Sequence, residues 1–238
     1  AGPDEVIAAS AAGDPTHRSW AYAIPLSGGP HRRLPVGPVS DLALRPGLPT
    51  VIRRTALQRE MAWWKRYRGG SGGQLWSDRG SPGEFHRILA ELDGNLASPM
   101  LVGEGPTARI AFLSDHEGWG NLYSVDLDCG DLRRHTDHGA PGEPQFYARH
   151  AATDGTRVVY ESAGQLYLLE SLDPDARPQL IDVQLAGPRS DRAPRRVSAA
   201  EWLESAAPDR TGRTSITVVR GTVHRLTHRD GPARVLLA

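Results

Sequence analysis

A short strand, a glycine-containing turn and a second strand recur as one unit along this sequence. The clearest copies are IAFLSDHEGWGNLYSVDL at 110–127, VVYESAGQLYLLESL at 158–172 and ITVVRGTVHRLTHRDGPARVLLA at 216–238. The first apolar residue after the turn marks each copy: Leu75, Leu122, Leu166 and Val223, which are 47, 44 and 57 residues apart. A period of about 40 to 50 residues for a four-stranded unit predicts the blades of a β-propeller. The longer last interval includes residues 188–212, which we expect to be an insertion or an extended inter-blade loop.

The runs between the turns are short and rich in β-formers, as at 109–114, 121–126 and 165–169. Each alternates its side chains in the way a half-buried strand requires. With 26 glycines and 19 prolines, the sequence leaves little room for long helices. We therefore predict an all-β fold, a single propeller segment of four-stranded antiparallel blades. The approximate blades are 1–37, 38–94, 95–142, 143–187 and 188–238. About five blades imply an incomplete ring, and we expect the missing part to lie upstream of Ala1 in a longer protein.

Charge and cysteine content narrow the class of partner. Lys plus Arg and Asp plus Glu are both 28, so the formal net charge is zero. This balance argues against a nucleic-acid or membrane-surface protein. The single cysteine, Cys129, excludes an internal disulfide and is compatible with a reducing compartment. No nucleotide-binding glycine motif or Cys-x-x-Cys cluster occurs, so we expect no cofactor.

The stretch SDHEGWGNLYS at 114–124 combines residue types that are common in active sites. Asp115 and Glu117 are candidates for an acid–base carboxylate pair. The repeat instead places them in the turn between two strands, where both side chains are expected to face water. Trp119 of the same turn is expected to pack against a neighbouring blade.

The other candidates for chemistry are histidines and one serine. His135 and His138 are a possible metal pair, with His116 and His150 as further ligands. Their place at a strand end favours surface or loop histidines, so no metal site is predicted. GGSGG at 69–73 formally matches a nucleophile elbow around Ser71, which requires a strand-to-helix turn. The following QLWSDRG indicates a strand, so we assign no catalytic residue.

The stretch AWWKRYRGG at 62–70 interleaves aromatic and basic residues. Such a pattern can stack on single-stranded nucleic acid or hold a peptide carboxylate through arginine. The alternative is an inter-strand loop that packs Trp63 or Trp64 beneath a blade. The possible peptide contacts are Trp64, Lys65, Arg66 and Arg68.

Several stretches together resemble the tricorn proteases, within the broader group of propellers with TolB-like blades. They are WKRYRGGSGGQLW at 64–76, NLASPM at 95–100, RIAFLSDHEGWGNLYS at 109–124, DLRRHT at 131–136, FYARH at 146–150 and TDG at 153–155. They occur in the family's order and cover roughly residues 62–160. The resemblance is to the N-terminal six-bladed propeller of that family.

The resemblance implies a location in a longer, cytoplasmic, hexameric serine peptidase that trims peptides released by the proteasome. In that family a second propeller, a PDZ-like domain and the catalytic core follow the first propeller, so none of the catalytic motifs falls on this chain. The resemblance also implies that the first propeller is a side passage that filters peptides. The hypothesis is therefore a non-catalytic propeller that guides peptides to a core elsewhere in the polypeptide. The alternatives are a stand-alone protein-binding or scaffolding propeller and, third, a metal-dependent enzyme using His135 and His138.

Overall fold

The computed structural model describes residues 4–55, 61–184, 186–187 and 193–237. The chain divides into two compact units, residues 1–184 and 185–238. Each unit is built from antiparallel sheets. The five predicted blade ranges, and their treatment as one segment, stay predictions.

The unit of residues 1–184 contains four sheets, each formed by strands that follow one another in the chain. Sheet 1 contains β1 (Glu5–Ser10), β2 (Trp20–Pro25) and β3 (Arg32–Pro38). Sheet 2 contains β4 (Asp41–Ala43), β5 (Val51–Arg54), β6 (Gln74–Ser77) and β7 (His86–Ile88). Sheet 3 contains β8 (Leu96–Val102), β9 (Arg109–Ser114), β10 (Asn121–Asp126) and β11 (Arg133–Arg134). Sheet 4 contains β12 (Arg149–Thr153), β13 (Val158–Ser162), β14 (Gln165–Leu169) and β15 (Gln179–Ile181).

The unit of residues 185–238 contains sheet 5, formed by β16 (Leu203–Pro208), β17 (Thr214–Val219), β18 (Thr222–Thr227) and β19 (Arg234–Leu237). The described helical segments are two single 3-10 turns, Met61–Trp64 and Gly105–Thr107. Neither they nor any other described segment is a helix long and apolar enough to cross a bilayer.

The all-β prediction is confirmed, down to the bounds of individual strands. The strands at 109–114, 121–126 and 165–169 have the predicted bounds. The four marker residues of the sequence repeat all lie in the third strand of their sheets: Leu75 in β6, Leu122 in β10, Leu166 in β14 and Val223 in β18. The sequence period therefore corresponds to one four-stranded sheet, as expected for propeller blades.

Sheet 3 is buried on both faces, and in this respect the half-buried strand pattern expected for β9 was wrong. Phe112 contributes to a core cluster that includes Leu75 of sheet 2. Leu113, the next residue, contributes to a different cluster that includes Tyr160 of sheet 4. Successive side chains of a strand point to opposite faces. A strand enclosed by sheets on both sides therefore needs an apolar residue at every position, and β9 supplies IAFL.

The first strands of sheets 3 and 4 share a feature that the sequence pattern did not indicate. β8 and β12 each contain one extra residue relative to the second strand, at Ser98 and at His150. Both residues have positive φ, 48° and 49°. A bulge of this kind increases local twist and turns the strand.

Arg45, which follows β4, connects sheets 2, 3 and 4. Its Nη1 donates to the carbonyl oxygens of Leu101 at 3.1 Å, Gly103 at 2.8 Å and Gly155 at 3.2 Å. The backbone N–H of Gly103 also donates to the Gly155 carbonyl at 2.8 Å. One guanidinium thus satisfies carbonyl groups at the junction of three sheets, where buried acceptors need a partner.

Replacing Gly155 with alanine is expected to lower the free energy of unfolding by about 1 to 3 kcal/mol. Gly155 has a φ of +100°, and a Cβ there would lie 2.8 Å from Cζ of Arg45. The matched control is Gly164→Ala, because Gly164 has a φ of +76° and no atom within 4 Å of an added Cβ. Urea denaturation measures both variants. Equal destabilisation by the two would show that the Arg45 contact contributes nothing.

Candidate functional site

The aromatic–basic stretch lies in the connection between β5 and β6, and one methionine anchors it. Met61 is fully buried in the 3-10 turn, and its Cε lies close to Gly120 and Tyr147. Trp63 is 68% exposed and Trp64 is 39% exposed. The alternative that one of these indoles packs beneath a blade is therefore wrong, because Met61 occupies that position.

Asp115 is the residue to which this connection is fastened, and the prediction that its side chain faces water was wrong. It is completely buried. Its Oδ2 accepts a hydrogen bond from the Arg66 backbone N–H at 2.8 Å. Its Oδ1 accepts from Arg68 Nη1 at 3.0 Å and from the Asn95 backbone N–H at 2.9 Å. A buried carboxylate with a cation and two N–H donors has the partners that it needs inside a protein.

Tyr147, which precedes β12, extends the same contact to sheet 4. Its hydroxyl lies 3.4 Å from Asp115 Oδ2 and 3.3 Å from the Gly118 carbonyl oxygen. Burial raises the pKa of Tyr147 to about 12, so its hydroxyl remains a donor at neutral pH. Its ring contacts Trp119 at a centroid distance of 6.0 Å. Trp119 thus packs on the residues that lead into the next sheet, as the sequence predicted.

The four predicted peptide contacts lie along one exposed connection, but Arg66 and Arg68 also bind groups of the turn at 115–118. Arg68 is held by Asp115 and lies 3.6 Å from Asp93. Arg66 donates through Nε to the Gly118 carbonyl at 2.8 Å. Lys65 Nζ lies 5.5 Å from the centre of the Tyr147 ring. Within the described part of the chain, neither Lys65 nor Arg66 forms an ion pair with a carboxylate.

Trp64 completes the arrangement. Its ring lies 5.1 Å from that of Tyr67, tilted by 49°. An exposed indole beside two cations can contact an apolar side chain and an anionic group at once. Peptide contact by Trp64, Lys65, Arg66 and Arg68 stays a prediction.

Glu117, the second member of the proposed carboxylate pair, has its own partners. Its Oε2 accepts from the Tyr123 hydroxyl at 2.8 Å and pairs with Arg134 Nη1 at 2.9 Å. Its side chain is half exposed, as a turn residue was expected to be. Asp115 and Glu117 are thus bound to different groups and have different environments.

His135 and His138 lie in the loop after β11, as predicted, but both are buried and neither is a surface residue. His135 Nε2 is hydrogen-bonded to Ser124 Oγ at 2.8 Å, and burial lowers its pKa to about 4. His138 Nε2 lies 3.1 Å from the Tyr160 hydroxyl, and burial lowers its pKa as well. His116 is partly buried, whereas His150 is exposed. In residues 4–55, 61–184, 186–187 and 193–237, no three His, Cys, Asp or Glu residues come together as a metal site would require.

Ser71 lies in the glycine-rich loop that leads into β6, not in a strand-to-helix turn. Its Oγ donates to the Tyr67 hydroxyl at 2.8 Å. The loop ends at Gly73, whose N–H donates to Asn95 Oδ1 at 2.7 Å. The context that a nucleophile elbow requires does not surround this serine.

Comparison with known proteins shows the family of the chain. The family model "Tricorn protease N-terminal beta propeller domain" matches residues 2–175. Tricorn protease homolog 1 of Streptomyces coelicolor is 55% identical over 221 residues, which are 93% of this chain and 20% of that protein. The tricorn protease homolog of Saccharolobus solfataricus is 35% identical over 213 residues, which are 90% of this chain and 18% of that protein.

A solved structure extends the likeness to three dimensions. The crystal structure of the tricorn protease superposes with a TM-score of 0.67 at 29% sequence identity, over 99% of this chain and 21% of that one. The chain therefore spans about a fifth of the length of the curated relatives that it matches.

Proposed function

The chain belongs to the tricorn protease family, in its N-terminal β-propeller domain, and from this premise we propose that it guides or filters peptides toward a serine-peptidase core elsewhere in a longer polypeptide. The proposal assigns peptide contact to Trp64, Lys65, Arg66 and Arg68 and no catalytic step to this chain. It includes the partners and setting that the family resemblance implies: peptide substrates, the remainder of a tricorn-type polypeptide, hexamer assembly of the full-length protein, and the cytoplasm.

One observation carries the proposal: the aromatic–basic connection is exposed at its tip and fixed at its base. Met61 is buried, and Asp115 binds both the Arg66 backbone and the Arg68 side chain. The exposed indoles are therefore held in position before any ligand arrives. A preorganised contact surface loses less conformational freedom on binding than a mobile one, and it binds more tightly for that reason.

Removing the exposed ring and its neighbouring cation is expected to weaken peptide binding to the chain about tenfold. The variant is Trp64→Ala/Lys65→Ala, and fluorescence anisotropy with a labelled ten-residue peptide measures the dissociation constant. The chain offers a matched control in Trp202→Ala/Arg220→Ala. Trp202 is 48% exposed, and the Arg220 guanidinium lies 5.1 Å from its ring centre. Equal weakening by both double variants would count against a peptide site at Trp64.

The guiding role itself requires turnover by the full-length polypeptide. We expect Trp64→Ala/Lys65→Ala to slow cleavage of peptides of ten or more residues and to leave a dipeptide-sized fluorogenic substrate unaffected. A filter acts before the chemical step, so only the substrates that must pass it respond. Equal slowing of both substrates would instead indicate damage to the catalytic core. An unchanged rate with both would favour the alternative of a protein-binding propeller.

A further inference from the structure

A second surface, next to the candidate site, is lined by arginine side chains. A cleft of about 630 Å³ lies between the β1–β2 connection of sheet 1 and the β5 and β6 strands of sheet 2. Among the described residues that line it, Arg18 and Arg54 are cationic and none is a carboxylate. We call it the cationic cleft. Trp76 also lines it.

The acid of the β1–β2 connection, Asp14, already has hydrogen-bond partners. Asp14 Oδ1 accepts hydrogen bonds from the Thr16 hydroxyl and backbone N–H, and Oδ2 accepts from Trp20 Nε1 at 2.6 Å. Its backbone carbonyl oxygen accepts from the His17 N–H at 3.1 Å. Asp14 therefore shapes the loop that presents His17 and Arg18, and its carboxylate is directed to other partners.

Arg54 and Trp76 line the cleft on the side of sheet 2. The Arg54 guanidinium lies 5.3 Å from the centre of the Trp76 ring, a cation–π contact that restricts its position. Among the described residues, neither Arg18 nor Arg54 forms an ion pair. Cations lining a concave surface without counter-charges produce a positive potential that attracts anions.

We propose that the cationic cleft binds an acidic side chain of a peptide that also contacts the aromatic–basic connection at Trp64. The two surfaces are adjacent, since Gly70 lines the cleft and Gly69, the preceding residue, lines the depression beside Trp64. Guanidinium groups form strong, directional hydrogen bonds with carboxylates. The cleft thereby selects acidic peptides. This inference rests on the proposed peptide function.

Binding to the 238-residue chain tests the selection directly. The probes are two labelled ten-residue peptides that are identical except for glutamate or glutamine at three positions. We expect the wild-type chain to bind the glutamate peptide at least tenfold more tightly. Arg18→Gln/Arg54→Gln removes this preference. The control Arg177→Gln/Arg210→Gln removes the same charge at exposed positions outside the cleft and retains the preference.

Each outcome decides between the cleft and another explanation. Equal binding of the two peptides by the wild-type chain would overturn the inference without requiring any variant. Equal loss of preference in both double variants would attribute it to net charge and also overturn it. Displacement by millimolar inorganic phosphate, with no difference between the peptides, would indicate a general anion site. Tight but charge-independent binding that is lost in Trp64→Ala/Lys65→Ala would leave the proposed function intact and the cleft refuted.

Discussion

Replacing Asp115 with alanine is expected to lower the free energy of unfolding of the unit of residues 1–184 by about 2 to 4 kcal/mol. The change leaves the Arg68 guanidinium without its buried partner, and it leaves the backbone N–H groups of Arg66 and Asn95 without their acceptor. The Arg68 side chain is partly exposed and can be solvated by water, so most of the loss comes from the backbone donors that bind the buried carboxylate and are left without a partner. Urea denaturation followed by circular dichroism measures the loss.

Arg68 has a second acidic neighbour that provides the control. Asp93 lies 3.6 Å from Arg68 Nε, but its side chain is 88% exposed. An exposed ion pair contributes at most about 1 kcal/mol, so Asp93→Ala is expected to have little effect. If Asp115→Ala lowered the free energy of unfolding as little as Asp93→Ala, Asp115 would not be the group that holds the aromatic–basic connection in place. Asp115→Ala is also expected to weaken peptide binding, because the exposed ring would no longer be held in position.

Lowering the pH from 7 to 4 is expected to destabilise the same unit by on the order of 2 to 3 kcal/mol through His135 alone. Burial, with smaller effects of Arg109 and Arg133, lowers the pKa of His135 from 6.5 to about 4. The unfolded chain therefore binds a proton at a higher pH than the folded chain does. The stability is present above pH 6.5 and is lost as the pH falls toward 4. Burial lowers the pKa of His138 too, which adds to the loss in the same direction.

Urea denaturation at pH 7, 5.5 and 4.5 measures this dependence. His135→Asn is expected to have a shallower slope between pH 6.5 and 4.5, whereas His150→Gln, at an exposed position, should keep the wild-type slope. The carboxylates Asp14 and Asp154 affect the stability in a lower pH range. Hydrogen bonds lower the pKa of Asp14 and Asp154 to about 2, so their contribution falls only below the ordinary value of 3.8. An unchanged slope in His135→Asn would contradict the assignment.

The hairpins were predictable because the signals that make them are local. Strand β9 ends at Ser114 and β10 begins at Asn121, with the turn of 115–120 between them. Alternating side chains and a glycine turn specify such a pair from fewer than twenty consecutive residues. The same local reasoning could not show that β9 is enclosed on both faces, since the enclosing sheets come from other parts of the chain.

The candidate site was predictable only in part. The aromatic–basic composition of AWWKRYRGG drew attention to the correct connection, but it suggested the wrong anchor. A tryptophan is the larger apolar group, yet Met61 is the buried residue, because an unbranched side chain can fill the irregular space beside Gly120 and Tyr147. The surface assignment of His135 and His138 failed for a related reason: strand ends are exposed in a single sheet and covered when sheets stack.

The sequence by itself determined the class of fold, the length of the repeat, the hairpins and the family, since each depends on residues close in the chain or on motif order. Only the tertiary structure decided what SDHEGWGNLYS does. Asp115 looked like a solvent-facing turn residue because its partners are 47 and 49 positions away, at Arg68 and Arg66. The packing of sheets 2, 3 and 4 brings those groups to the turn and removes water from the carboxylate. Burial and charge pairing at that distance are properties of the packed sheets, and no local pattern encodes them.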